Sequence, residues 1–370
     1  MKSCIRALWL AMSVCVTLLA TSATAAAQIV VGHAIDLSGP NGAIGRDYVA
    51  GITTYFDSIN VKGGINGKKI VYTVRDDRGV AADSARLAAS LIQQDKVGYL
   101  LGAIGPESTQ AILAAPAFAE SRHVLFAPLT DAFAAPRGRV IFWRPSMEHE
   151  CQFILGYFDK LGLKKVGIVL QDTAQNQKTY KMVADELRKR GMILSGTVRV
   201  SPNMDADARQ LSASGAKVVL MIADTIGASQ FLKAFRKHDA STFVAGTSLI
   251  NLATLSEIAG ARATEWTVFS QVVPNPGSTA SVLQSEHIDM MKKFRDEPVS
   301  SITLEGFAVA KTLVKVIQME AAGKGGLQTI AAARTPIDIG GMTIQSSDRK
   351  STMSEFVDIA LFKRDGRLMY

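Results

Sequence analysis

"IVVGHAIDLSGPNGAIGRD", Ile29 to Asp47, decides the fold. Seven mostly apolar residues read as a buried strand, Asp36 to Asn41 as a loop of turn-forming residues, and an apolar periodicity over 46–60 as an amphipathic helix. "KIVYTVRD" (69–76) adds a second strand after an Asn-Gly turn signal at 66–67. A strand, a crossover helix and another strand make a parallel βαβ unit. The loop between strand and helix has no lysine of the kind that marks a nucleotide phosphate loop. Its position after a strand suits it to hold something else.

The same alternation runs outward along the chain. A helix over 80–94 leads to "VGYLLGAIG" (97–105), then a helix over 107–121 and "HVLFAPL" (123–129). After "FWRPS" it restarts: a helix over 148–161, "KVGIVLQD" (165–172), a helix over 177–190, "ILSGTVRV" (193–200), "KVVLMIA" (217–223), a helix over 227–238 and "TFVAGTS" (242–248). Strands alternating with helices imply parallel sheets covered on both faces. Two such runs with a break near 145 imply two lobes. The end departs from the rhythm. "WTVFSQVV" is followed by helices over 279–295 and 302–321, then by two strands in "MTIQSS" and "FVDIALFKRDGRLMY" with an Asp-Gly turn at 365–366. A chain that returns to the first lobe and then to the second explains that order.

The first residues set the compartment. Lys2 and Arg6 precede an apolar run over 7–20, and "TSATAAAQ" supplies small residues for cleavage, the order of a secretory signal peptide spanning 1–27. The run is shorter than the roughly 20 residues of a spanning helix. Cys15 lacks the small residues that precede a lipidated cysteine. The expectation is an exported, soluble protein. Cys151 is then the one cysteine of the mature chain, so no internal disulfide supports it and a hydrophobic core must. The net charge of +8 is spread along the chain, "RKR" at 188–190 reads as a solvated face, and neither zinc spacing nor aromatic–basic interleaving points to nucleic acid.

Enzyme signatures are missing: no G-x-G-x-x-G, Walker loop, G-x-S-x-G or H-E-x-x-H occurs. The five histidines are scattered. His33 reads as a hydrogen-bonded structural residue, and "HEC" at 149–151 places two donors on different helix faces, which does not make a metal site. Cys151 reads as a thiol buried in its helix. No cofactor is expected. The polar segments that remain follow strands, where open parallel sheets bind ligands. Besides the opening loop there is "GAIGPESTQ" (102–110), whose Gly105, Pro106, Glu107, Ser108 and Thr109 open a helix able to receive a carboxylate on its amides and hydroxyls; Ser108 and Thr109 equally suit simple capping. "APLTDAF" brings Leu129, Thr130 and Asp131. The second lobe offers "QDTAQNQ" with Asn176, "ADT" with Asp224, and "GTSLIN" with Thr247 and Ser248.

"DLSGPNGAIGRDYVAGITTYFDSINVKGGINGKKIVYTVRDD", "LLGAIGPESTQAILAA", "QVVPNP" and "TLEGFAVAK" together resemble type I periplasmic substrate-binding proteins of ABC importers, in the Leu/Ile/Val-binding branch, over essentially the whole chain after residue 27. The resemblance implies two doubly wound lobes joined by crossovers near Arg144–Ser146, Val272–Asn275 and Pro336–Gly341. Lobe one would be 28–144 and 275–337, lobe two 145–274 and 338–370. It implies a periplasmic monomer with no enzymatic activity that closes on an amino acid or a carboxylate and serves a membrane permease; the same fold could instead serve a sensor of an amide or aromatic acid. Ile44 falls where relatives present a ligand-facing side chain. The carboxylate would meet Pro106–Thr109 and Leu129–Asp131, with Pro106 at the position that usually offers a hydroxyl. Asn176 falls where some relatives have tyrosine. Thr247 falls where branched-chain binders have the glutamate that meets the ligand ammonium, so Asp224, Asp131 or Glu107 would have to replace it.

Overall fold

The computed structural model describes residues 28–130, 138–346, 352–362 and 368–369; the expected signal peptide, Asp131 and the Asp-Gly turn at 365–366 lie outside them. Strand β1 (Ile29–Ile35) feeds helix α1 (Gly42–Val61), and β2 (Ile70–Asp76), α2 (Ala81–Gln93), β3 (Tyr99–Leu101), α3 (Pro106–Ala114), α4 (Pro116–Ala119), β4 (Leu125–Phe126) and β5 (Val140–Ile141) follow. The helix expected over 107–121 is two helices, because Pro116 cannot supply the amide that would continue the first. The five strands form one parallel sheet in the order β2-β1-β3-β4-β5.

The second run comprises α5 (Met147–Lys160), β6 (Lys165–Leu170), α6 (Ala174–Lys189), β7 (Ile193–Arg199), α7 (Met204–Ser212), β8 (Val218–Ile222), α8 (Thr225–Phe235), β9 (Phe243–Gly246), α9 (Leu252–Ala259) and β10 (Thr267–Gln271). Then come α10 (Val282–Phe294), α11 (Ser301–Ala321), α12 (Leu327–Ala332), the antiparallel pair β11 (Ile337–Asp338) and β12 (Thr343–Ile344), and β13 (Asp358–Phe362) with β14 (Leu368–Met369). The second sheet is β7-β6-β8-β9-β10-β13-β14, parallel from β7 to β10 and antiparallel at β13 and β14.

Each sheet has a core on both faces. Tyr48, Phe56, Phe126, Trp143 and Phe307 belong to one cluster of the first sheet, Leu91, Phe118 and Phe142 to the other. Phe231, Phe235 and Phe269 lie on one face of the second sheet, Ile154, Phe158 and Ile168 on the opposite face. Helices α10 and α11 pack into the core of the first sheet through Leu283, Leu304, Phe307 and Leu313. Ile337, Ile339, Met342, Ile344 and Met353 also join its core, which carries the chain past the expected return at 338. The segments after β5 and before β13 run together, with Met353 N–H donating to Phe142 O and Ser354 N–H to Trp143 O, both at 2.8 Å. His33 is the structural residue its strand position suggested: Nε2 donates to Gly102 O at 2.7 Å, Nδ1 lies 2.6 Å from the Tyr72 hydroxyl, and burial lowers its pKa to about 4, keeping the ring neutral.

Helix α11 lies against α1 at a crossing with no room for side chains. A Cβ added at Gly306 would stand 2.2 Å from Tyr48 O, and one at Gly51 would stand 2.0 Å from Thr303 O. The obstacle is backbone on both sides, so relief requires the helices to separate. Gly306→Ala is expected to cost about 1–3 kcal/mol in urea unfolding of the ligand-free protein; an unchanged midpoint at the same slope would disprove that account.

Candidate functional site

The strand order reverses between β1 and β3 in the first sheet and between β6 and β8 in the second. Open parallel sheets bind ligands at the carboxyl ends of such strands. Here the loops at those ends, together with those after β4 and β9, meet around one cavity of about 210 Å³. Asn41 and Ile44 enter after β1, Ile104, Gly105, Pro106 and Glu107 after β3, and Leu129 and Thr130 after β4. From the second sheet come Gln171, Thr173, Gln175 and Asn176 after β6, Ala223 and Asp224 after β8, and Thr247 and Leu249 after β9.

The opening loop is held by two aspartates. Buried Asp36 accepts from Gly39 N–H at 2.6 Å and Asn41 N–H at 2.9 Å. Asp76 accepts from Leu37 N–H at 2.9 Å and from the Ser38 hydroxyl at 2.6 Å. With its backbone fixed this way, the loop delivers Asn41 and the first turn of α1, carrying Ile44, to the cavity.

Helix α3 opens toward the same space. Gly105 takes φ +86°, a region open to glycine at no steric cost, and its N–H donates to Leu129 O at 3.0 Å. Pro106 occupies the first turn and no side chain caps the helix. The Glu107 and Ser108 amides are therefore among those a helix leaves without intrahelical partners, at the end favourable to anions. Thr109 sends its hydroxyl back to Gly105 O at 2.7 Å, and neither Ser108 nor Thr109 lines the cavity. Beside this turn stands Thr130, buried, with an Oγ1 that has no hydrogen-bond partner among the described residues. A buried hydroxyl left this way is costly unless something arrives to pair with it.

The opposite wall is already paired. Asp224 Oδ1 accepts from Gly227 N–H and Oδ2 from Gln171 Nε2, both at 2.7 Å, while Gln171 Oε1 accepts from Asp224 N–H at 2.7 Å. Asn176 Nδ2 donates to Gln171 O at 3.0 Å. Asp224 thus caps α8 and clamps the β6 loop. Glu107 is exposed at the rim. Ile44, Ile104, Leu129, Met147, Met221 and Leu249 make the rest of the lining largely apolar.

The structure thus brings nine of the residues singled out by sequence to this cavity: Ile44, Gly105, Pro106, Glu107, Leu129, Thr130, Asn176, Asp224 and Thr247. Ser248 lies outside it, on a second, larger cavity of about 610 Å³ bounded by Arg46, Asp47, Asn251, Glu257 and Pro298–Ile302, between the start of α1 and the segments after β9 and β10. Sequence reasoning missed Met147 and Cys151. Both lie on α5 and line the cavity, so Cys151 is a buried thiol at a cavity wall rather than purely a core residue. Gln171, Thr173 and Gln175 were legible as neighbours of Asn176 in one polar loop.

A sequence profile described as "Periplasmic binding protein" matches residues 28–351. The chain belongs to that family. Among relatives, an "Amino acid binding protein" of Pseudomonas aeruginosa is 27% identical over 205 residues, 54% of each chain. A "Leu/Ile/Val-binding protein homolog 1" of Brucella melitensis is 26% identical over 326 residues, 85% of this chain and 84% of that one. The crystal structure of an extracellular ligand-binding receptor from Verminephrobacter eiseniae superposes with a TM-score of 0.84 at 24% identity, covering 93% of this chain and 100% of that one. This periplasmic binding protein is of the Leu/Ile/Val-binding-like type I branch. Its family binds solutes and is not a family of enzymes. The family is extracytoplasmic, and no helix among the described residues is long and apolar enough to cross a membrane.

Proposed function

We propose that this binding protein captures a small carboxylic acid without an amino group and delivers it, as a monomer in the periplasm, to the permease of an ABC importer. The observation that carries the ligand class is the unpartnered, buried Thr130 hydroxyl beside the uncapped turn of α3. Together they offer a hydroxyl and free amides to two carboxylate oxygens, and charge-assisted bonds of that kind are the strong ones. At ~30 Å³ per water, a cavity of about 210 Å³ has room for a molecule of amino-acid size. Its apolar lining suits an aliphatic or aromatic body.

The missing amine follows from the opposite wall. A buried ammonium needs a carboxylate partner. Of the acids singled out by sequence, Asp224 has each oxygen hydrogen-bonded within its own wall, Glu107 is exposed, and Asp131 lies outside the described residues, while Thr247 stands where the resemblance implies glutamate. An amino acid is the second reading, favoured by the names of the Pseudomonas and Brucella relatives.

Capture would proceed by rotation about the crossovers, since the cavity takes its walls from both sheets and a ligand touching both stabilises the closed arrangement. We place lobe one at 28–144 and 275–356 and lobe two at 145–274 and 357–370, with the last crossover between Phe356 and β13, because Met353 and Phe356 pack with the first core.

Thermal unfolding against L-leucine, L-phenylalanine, 4-methylpentanoate and 3-phenylpropanoate tests the class. A ligand at a hundred times its Kd adds about 2.7 kcal/mol. The expected result is a raised midpoint with an acid that lacks the amine and none with its amino-acid counterpart. The reverse pattern would establish the amino-acid reading.

A further inference from the structure

Between the lobes lies a buried ionic cluster that the ligand cavity does not use. Arg144, at the first crossover, is 2% exposed. Its Nε lies 3.5 Å from Glu305 Oε1 on α11, in the first lobe. Its Nη2 lies 4.0 Å from Glu150 Oε1 on α5, in the second lobe, and donates to the Ser248 hydroxyl. Glu150 Oε2 in turn accepts from Ser248 N–H at 2.9 Å and from the Ser270 hydroxyl at 2.7 Å. One guanidinium therefore serves two buried carboxylates, one on each side of the crossover. The cluster is not fully satisfied: Arg144 Nε and Nη1 and Glu305 Oε2 have no hydrogen-bond partner among the described residues. Burial, partly offset by Arg144 and reinforced by Glu150, pushes the Glu305 carboxyl up.

Ser248 follows directly on Thr247, which lines the ligand cavity. We propose that Arg144 is the positioning residue that couples lobe closure to the cavity wall: it holds the Thr247–Ser248 turn from across the crossover, while Glu305 anchors it to the first lobe. Ser248 then contributes to binding through Arg144 and not by touching the ligand. Whatever rotates the lobes must move Ser248 relative to Arg144, and a buried charge that loses a partner is heavily penalised. The contact therefore favours the arrangement in which the cavity has both its walls. The role assigned to closure rests on the solute-receptor reading above.

Cysteines introduced at exposed Lys62 and Lys181, one in each lobe, allow the interlobe distance of the ligand-free protein to be measured between spin labels. Ser248→Ala deletes only the hydroxyl that Arg144 reaches, and is expected to shift the distribution to longer distances; Ser248→Thr, which restores a hydroxyl, is expected to bring it back. Arg144→Met should shift it further, and if that variant does not fold, Ser248→Ala still decides. Titration with 4-methylpentanoate should show affinity lowered by about 5–150-fold in Ser248→Ala, the usual span of a coupling between sites. An unchanged distance distribution in Ser248→Ala overturns the proposal and leaves Arg144 a structural ion pair. Failure of the wild type to bind 4-methylpentanoate would count against the ligand class alone, because the distance measurement needs no ligand.

Discussion

Thr130→Val should weaken binding of the preferred acid by roughly 10- to 140-fold while leaving the ligand-free protein as stable as before, or more stable. The two effects have one cause. The hydroxyl is buried with no partner among the described residues, so without a ligand its removal from water is uncompensated, and a methyl of the same shape removes that penalty. With a carboxylate bound, the hydroxyl becomes a donor to a charged acceptor, worth about 1.5–3 kcal/mol, which converts to the stated range at 1.4 kcal/mol per tenfold. Calorimetric titration reads the first effect and urea unfolding without ligand reads the second. A residue needed only for packing would lose stability together with affinity. Unchanged affinity would remove Thr130 from the ligand's surroundings and leave its buried hydroxyl without the role assigned to it.

The alternation of strands and helices was legible because buried parallel strands are short continuous apolar runs, and because Gly, Pro and Asn mark where they stop. Helices α7 and α9 were not legible. In α7 only Ala208 and Leu211 are buried, too few to make an apolar stripe, and α9 is eight residues long directly after a polar loop. The loops of the site could be named because their position after strands is itself a statement about function. Which side chains enter the cavity could not, since that depends on pairing across the chain: Asp224 looks like a free acid in the sequence, and only contact with Gln171, 53 residues away, shows it to be engaged. Cys151 and Ser248 misled for a related reason. A helix face that packs and a helix face that lines a cavity carry the same apolar pattern, and adjacent residues on one turn serve different neighbours, Thr247 the cavity and Ser248 the guanidinium of Arg144.

Thr247→Glu is expected to reverse the choice between an acid and its amino-acid counterpart. In this chain a threonine holds the place where the resemblance implies the glutamate that meets a ligand ammonium. Introducing the carboxylate gives an ammonium a charge-assisted partner, worth about 1.5–3 kcal/mol, so the ratio of the affinities for L-leucine and 4-methylpentanoate should move toward leucine by roughly 10- to 140-fold. It also sets a second negative group in the small cavity with the acid's own carboxylate, which opposes the acid. Burial must raise the pKa of the new side chain when no ammonium is present, because desolvation disfavours its charged form. The substitution should therefore lower the stability of the ligand-free protein, and leucine should restore it. Leucine affinity should decline as pH falls and the carboxyl protonates, whereas the wild type has no such group at 247. Competition between the two ligands at neutral pH, repeated at lower pH, measures both effects. If the ratio stays put while the variant remains folded, residue 247 does not face the position of the α-substituent, and the absence of an amine must be sought in another wall of the cavity.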